Sequence, residues 1–111
     1  MLNPEQIQEA ALQLHEAERG RQQIRPTSVT FPGMDVADAY AVQRAWVNLK
    51  IGEGRCIRGR KIGLTSRAMQ DAMKIDEPDF GTLLDDMFFD DGAEIEAAQF
   101  LDPRIEVELA F

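Results

Sequence analysis

The closing segment RIEVELAF alternates two acidic residues, Glu106 and Glu108, with apolar ones. If residues 104–111 form a strand, Ile105, Val107, Leu109 and Phe111 face a core and the two glutamates share the other side. Side chains two apart on a strand stand about 7 Å from each other. Carboxylates at that spacing can converge on one ion, and oxygen donors favour hard cations such as Mg²⁺, Mn²⁺ or Ca²⁺. A solvated strand face is the commoner meaning of the same pattern, because exposed glutamate is ordinary.

Lys61 is the second candidate. On a strand over residues 55–64 it shares a face with Ile57, Gly59 and Gly63, opposite Cys56, Arg58, Arg60, Ile62 and Leu64. Glycine inside a strand marks close approach by a ligand or another backbone. A lysine beside a carboxylate–metal site can bind an anionic substrate or assist proton transfer. A surface lysine on a weak edge strand is at least as common.

Asp79 lies in Pro78-Asp79-Phe80-Gly81, where an aspartate ordinarily hydrogen-bonds its own turn. The Asp-Phe-Gly triplet matches the kinase magnesium motif. With no glycine-rich loop or His-Arg-Asp segment beside it, a kinase is excluded. Asp85 and Asp86 read as solvated or turn-forming, His15 as a surface histidine, and Cys56, Trp46 and Tyr40 as packing residues. No Walker loop, dinucleotide fingerprint, zinc cluster or nucleophile elbow is present.

The elements that would hold these residues follow from capping and periodicity. Asn3, Pro4 and Gln6 predict a helix over about 3–19, with Ile7, Ala10, Ala11, Leu14 and Ala17 on its apolar stripe and Gly20 as a stop. Such an alanine-rich stripe suits close packing. Pro26, Pro32 and Gly33 mark a connector. Asp35 caps a second, more apolar helix over about 35–51, ended by Gly52 and Gly54. The part with strands, about 55–111, adds a short helix capped by Thr65 or Ser66. It then has a turn over 76–81, an extended LLDDMFF, a turn at 90–92 and the closing strand. The expected class is α+β, in one domain without a linker.

Twelve basic and twenty acidic residues leave a net charge of −8, which opposes both nucleic-acid backbones and anionic membrane surfaces. The start MLNPEQIQEA has neither a basic nor an apolar signal region. A single cysteine excludes an internal disulfide and fits a reducing compartment, so the cytoplasm is expected.

Four blocks, in this order and spacing, carry a resemblance: AYAVQRAWVNLKIGEG, GRKIGLTSRAMQ, EPDFGTLLDDMFF and PRIEVELAF. Together they resemble the 2-oxopent-4-enoate and 2-oxohept-4-ene-1,7-dioate hydratases, within the wider group of the fumarylacetoacetase-type fold. The resemblance runs from about residue 3 to the last, and LTSRAMQ and LLDDMFF look nearest to the heptene-dioate enzymes.

That resemblance implies a Mg²⁺- or Mn²⁺-dependent hydratase of a small 2-oxo-alkenoate in aromatic-compound breakdown, working as a homo-oligomer. It implies Glu106 and Glu108 as metal ligands, Lys61 as the active-site lysine of the Gly-Arg-Lys-Ile-Gly block, and Asp79 as an acidic group near the pocket. It further implies that residues 1–111 are the truncated amino-terminal portion of a single domain with a mixed β core. A third carboxylate ligand would come from a later segment. The alternatives are a 4-oxalocrotonate-type decarboxylase, a fumarylpyruvate-type hydrolase, and a non-catalytic assembly fragment.

Overall fold

The computed structural model describes residues 1–111. Its elements run in the order α1 Pro4–Gly20, α2 Thr27–Thr30, α3 Val36–Gly52, β1 Ile57–Gly63, α4 Arg67–Met73, β2 Asp79–Leu84 and β3 Leu109–Ala110. Short 3₁₀ turns lie at Asp85–Met87 and Ala97–Gln99. The class is α+β, and the chain divides into two compact units. One comprises residues 1–54 and 95–103, the other 55–94 and 104–111. No helix is long and apolar enough to cross a membrane.

In the helical unit both long helices start as their sequences predict. Asn3 Oδ1 accepts from the Gln6 N–H at 2.9 Å, and the Gln6 side chain returns a bond to the Asn3 N–H. Asp35 and Asp38 repeat this reciprocal cap on α3. Each box satisfies amide donors that a helix start leaves open. α1 ends at Gly20 as expected, but the glycine is not its left-handed cap. Arg21 takes the left-handed position at φ 49°, and its N–H closes on the last turn.

The helices pack in parallel. The Leu2 N–H donates to Asp38 Oδ2 at 3.0 Å at their starts, while His15 and Lys50 join them near their ends. The small residues Ala10 and Ala11 are fully buried and let α1 approach closely, and Val42 and Ala45 of α3, Leu2 and Phe31 complete the core. A helix of this length spans about 25 Å. The connector from Arg21 to Asp35 must travel back over that distance, within its extended reach of roughly 50 Å. Its slack is taken up in part by α2.

Charge is matched at both ends of the pair. Parallel helices put two positive dipole ends together and two negative ends together. Asp38, buried at the paired starts, accepts the Leu2 and Asp35 N–H groups and lies 3.7 Å from the chain's terminal ammonium. At the other end Lys50 pairs with Glu18 and sits 5.2 Å from the Trp46 ring centre. His15 is not a surface residue: it is buried, with Nε2 2.8 Å from Glu53 Oε1, an oxygen that Arg19 also reaches at 3.1 Å. Its partner lies 38 residues away, which no local pattern shows. Arg21 Nη1 donates to the Ala98 carbonyl at 2.7 Å, fastening the later segment to this unit.

The second unit is a three-stranded antiparallel sheet in the order β2-β1-β3. β1 is central, with an irregularity in register between Ile57 and Gly59. Ser66 caps α4 through the Met69 N–H, as expected. β2 begins at Asp79, so 76–81 is not all turn, and Asp85–Met87 coils into a 3₁₀ turn rather than extending. Asp85 Oδ1 accepts the Cys56 N–H at 3.2 Å, and the Asp85 N–H donates to the Cys56 carbonyl at 2.9 Å, closing the β1–β2 pair at that end. Cys56 itself is exposed, contrary to the packing role expected for it. The turn at Asp90–Gly92 forms, closed by the Ala93 N–H on the Asp90 carbonyl at 3.0 Å.

The closing strand is much shorter than 104–111. Only Leu109 and Ala110 join the sheet, and Ile105 and Val107 are 98% and 99% exposed, with Leu109 and Phe111 also outside any core. Alternation chose a face for these side chains, but nothing among residues 1–111 covers it. Leu84 is the one large side chain fully enclosed.

Two carboxylates in the helical unit titrate below their ordinary range. Asp38 is lowered chiefly by the Asp35 backbone hydrogen bond, then by Leu2 and the terminal ammonium, against the opposing effect of burial. Glu53 is lowered chiefly by the His15 hydrogen bond, against burial, with the charges of His15, Arg19 and Lys50 adding to it. A lowered folded value adds stability that is present above the unfolded value and is lost as pH falls through the folded one. The urea midpoint followed by Trp46 fluorescence should therefore hold above roughly pH 5 and fall below it. An Asp38→Asn/Glu53→Gln variant should start lower and show a flatter acid limb; an equally steep limb would count against this assignment.

Candidate functional site

The register of the sheet brings the candidate residues together. Lys61 pairs with Gly81 on one side and Ala110 on the other, and Gly63 pairs with Asp79. Glu108 immediately precedes Leu109, the partner of Ile62. Because side chains alternate, Lys61, Gly63, Asp79, Gly81 and Glu108 all fall on one face.

The distances follow. Lys61 Nζ lies 3.3 Å from Glu108 Oε2 and 3.7 Å from Asp79 Oδ2. The remaining oxygens turn toward Gly63: a β-carbon there would stand 2.5 Å from Asp79 Oδ1 and 2.7 Å from Glu108 Oε1. Gly63 thus leaves the space in which two carboxylates meet. Gly81 plays the matching part for the lysine. A β-carbon at Gly81 would lie 2.7 Å from Lys61 Cε and 2.9 Å from its Cγ, so the stem crosses the bare backbone.

Gly59 meets backbone instead. Its β-carbon would fall 2.9 Å from the Phe111 carbonyl oxygen, and Arg60 and Phe111 exchange both backbone hydrogen bonds. The close approach expected at Gly59 and Gly63 is present at both.

Charge in the cluster is unbalanced, with two carboxylates facing one ammonium. Asp79 Oδ1 is buried with no hydrogen-bond donor. A buried oxygen without a donor is costly to leave so, and it marks where a proton or cation would be held. Glu106, by contrast, is exposed and lies ahead of the β3 ladder. No group of three or more histidine, cysteine, aspartate or glutamate side chains is assembled for a metal ion. The structure therefore joins Lys61, Asp79 and Glu108 and leaves Glu106 apart.

Sequence reasoning passed over Gly81 as a seat for the lysine. The signal was available in the matched Lys-x-Gly and Asp-x-Gly spacings of residues 61–63 and 79–81.

No family model matches the chain. Individual proteins do. It is 59% identical over 101 residues to a 2-oxo-hept-4-ene-1,7-dioate hydratase of Escherichia coli, covering 91% of this chain and 38% of that protein. It is 44% identical over 110 residues to a 2-keto-4-pentenoate hydratase of Paraburkholderia xenovorans LB400, covering 99% and 41%. Over nearly its whole length the chain is similar to 2-keto-4-pentenoate and 2-oxo-hept-4-ene-1,7-dioate hydratases. It spans about two-fifths of the length of the curated relatives it matches. Among solved structures, a 4-oxalocrotonate decarboxylase from Pseudomonas putida G7 complexed with magnesium and adipate aligns with a TM-score of 0.73 at 36% identity. That alignment covers 77% of this chain and 32% of the other. The same enzyme complexed with calcium and acetate matches equally well.

A methyl group at residue 63 should push the two carboxylates apart. Gly63→Ala is expected to cost about 1–3 kcal/mol, typical of overpacking. It should appear as faster hydrogen exchange of the β1 and β2 ladder amides. Unchanged exchange would mean that Asp79 and Glu108 do not rest on this glycine.

Proposed function

We propose that this chain is part of a divalent-metal-dependent hydratase adding water to a 2-oxo-alkenoic acid of the 2-oxohept-4-ene-1,7-dioate or 2-oxopent-4-enoate type, in aromatic-compound breakdown. The observation that carries the reading is the convergence of Lys61, Asp79 and Glu108 over Gly63, in a chain so similar to these hydratases. Residues 1–111 are then the amino-terminal portion of one hydratase domain with a mixed β core of the fumarylacetoacetase type. The protein works in the cytoplasm as a homo-oligomer on a small molecule, with no nucleic-acid or membrane partner.

Asp79 and Glu108, whose oxygens converge over Gly63, form a donor pair that suits Mg²⁺ or Mn²⁺, while Glu106 stands apart from them. Every acidic side chain at the site offers hard oxygen, and Asp79 Oδ1, buried without a donor, shows that the cluster has acceptor capacity to spare. Glu106 and Glu108 are the proposed metal ligands, which requires Glu106 to move in from its exposed position ahead of β3. When bound, the metal supplies Lewis-acid stabilisation of enolate-like charge on the 2-oxo acid.

The chain's own residues do the rest. The Lys61 ammonium offsets negative charge developing on the substrate and steers its carboxylate. Asp79 is proposed to accept the proton that the adding water loses and to return one to the substrate carbon, so that water adds across the double bond with no net change in protons. Gly63 and Gly81 hold the three groups in one place by leaving room for them.

A second reading, a 4-oxalocrotonate-type decarboxylase, is favoured by the structural match at 36% identity. The 59% identity to a hydratase supports the first reading over it. Released CO₂ would favour the decarboxylase, and a hydrated 2-oxo acid the hydratase.

Calorimetry tests the metal assignment. The chain should bind Mn²⁺, and a Glu106→Ala/Glu108→Ala variant should not; retained binding would remove both residues from the metal site. In turnover of a 2-oxo-alkenoate, Lys61→Met should lower kcat by roughly 10²–10⁴-fold, and undiminished turnover would refute the role given to Lys61.

A further inference from the structure

Lys61 does more than stand near the carboxylates: it occupies them. Its ammonium contacts Glu108 and reaches Asp79, and its stem is seated across Gly81. An ammonium is a compact point charge on a flexible stem, able to neutralise a carboxylate and to leave it. A divalent cation needs the Glu108 oxygens with few competitors, and held beside an ammonium it would face a like charge.

We propose that Lys61 is a placeholder for the divalent cation: it neutralises Glu108 and Asp79 in the metal-free chain and releases Glu108 when the metal enters. The inference rests on the metal reading given above. The same motion frees the ammonium, still anchored by its stem, to turn toward an anionic substrate. Metal binding then arms the lysine, and the lysine sets a threshold for metal binding.

The placeholder competes with the metal by mass action, so removing it raises apparent affinity. Mn²⁺ titrations by calorimetry in 0.15 M salt should show Lys61→Met binding about tenfold more tightly than the unaltered chain. Gly81→Ala keeps the charge but unseats the stem, and should tighten binding by a few fold. Circular dichroism establishes that both variants fold.

A measurement on the unaltered chain needs no variant to keep its fold. The Lys61 ¹³Cε resonance, assigned by its absence in Lys61→Met, should shift on saturation with Mg²⁺. Equal Mn²⁺ affinity in Lys61→Met and the unaltered chain would overturn the placeholder and leave the metal site standing. Tighter binding in Lys61→Met with no change in Gly81→Ala would also overturn it, because charge acting at a distance would then suffice. A Lys61 resonance that stays put while Mg²⁺ binds would do the same. No binding by any of the chains would overturn the metal reading together with the placeholder.

Discussion

Everything at the candidate site depends on the antiparallel register of β1 with its two neighbours. Lys61 opposite Gly81 and Gly63 opposite Asp79 are two rungs of one ladder, and Ile62 opposite Leu109 brings Glu108 to the same face. A slip of one residue in β1 would carry Lys61 through the sheet and present Arg60 or Ile62 in its place. The ladder's backbone hydrogen bonds fix position along the strand, and the paired glycines fix what can approach from above. Neither alone would gather two acids and a lysine.

The helical unit solves a different problem with the same economy of parts. Two parallel helices concentrate partial charge at both ends, and the chain places Asp38 at the starts and Lys50 and Arg19 at the finishes. Small residues in the middle let the axes approach, so a modest core is supported by ion pairs that are oriented rather than merely numerous. Asp38 serves twice, closing the cap of α3 and receiving the backbone of Leu2.

What could be read in advance was what is decided locally. The Asn3 and Asp35 caps, the start of α4 at Ser66 and the turn at Asp90–Gly92 each depend on residues within a few positions of one another. The glycines around Lys61 pointed to close approach, and close approach is there. Partners distant in sequence were not legible. His15 is buried because Glu53 and α3 cover it, and Asp79 begins a strand because β1 offers it a rung. Of the Glu106–Glu108 alternation only Glu108 falls on the Lys61 face; strand length depends on what lies across from it, and Glu106 stays ahead of the ladder. In residues 104–111 a pattern without a covering layer yielded two strand residues.

The parallel packing of α1 and α3 also governs how that unit can assemble. In an antiparallel helical hairpin the first contacts close a short loop and later ones zip outward from it. Here the contacts Leu2–Asp38, His15–Glu53 and Glu18–Lys50 are separated by 36, 38 and 32 residues, so none is a cheap first step. Closing a loop of that size costs about 3 kcal/mol plus a constant, whichever contact forms first. Once that single closure is made, every other contact along the pair follows at little further entropic cost. Parallel packing thus gives this unit a larger mean sequence separation of contacts than a helical hairpin of the same length, the property that goes with slower folding.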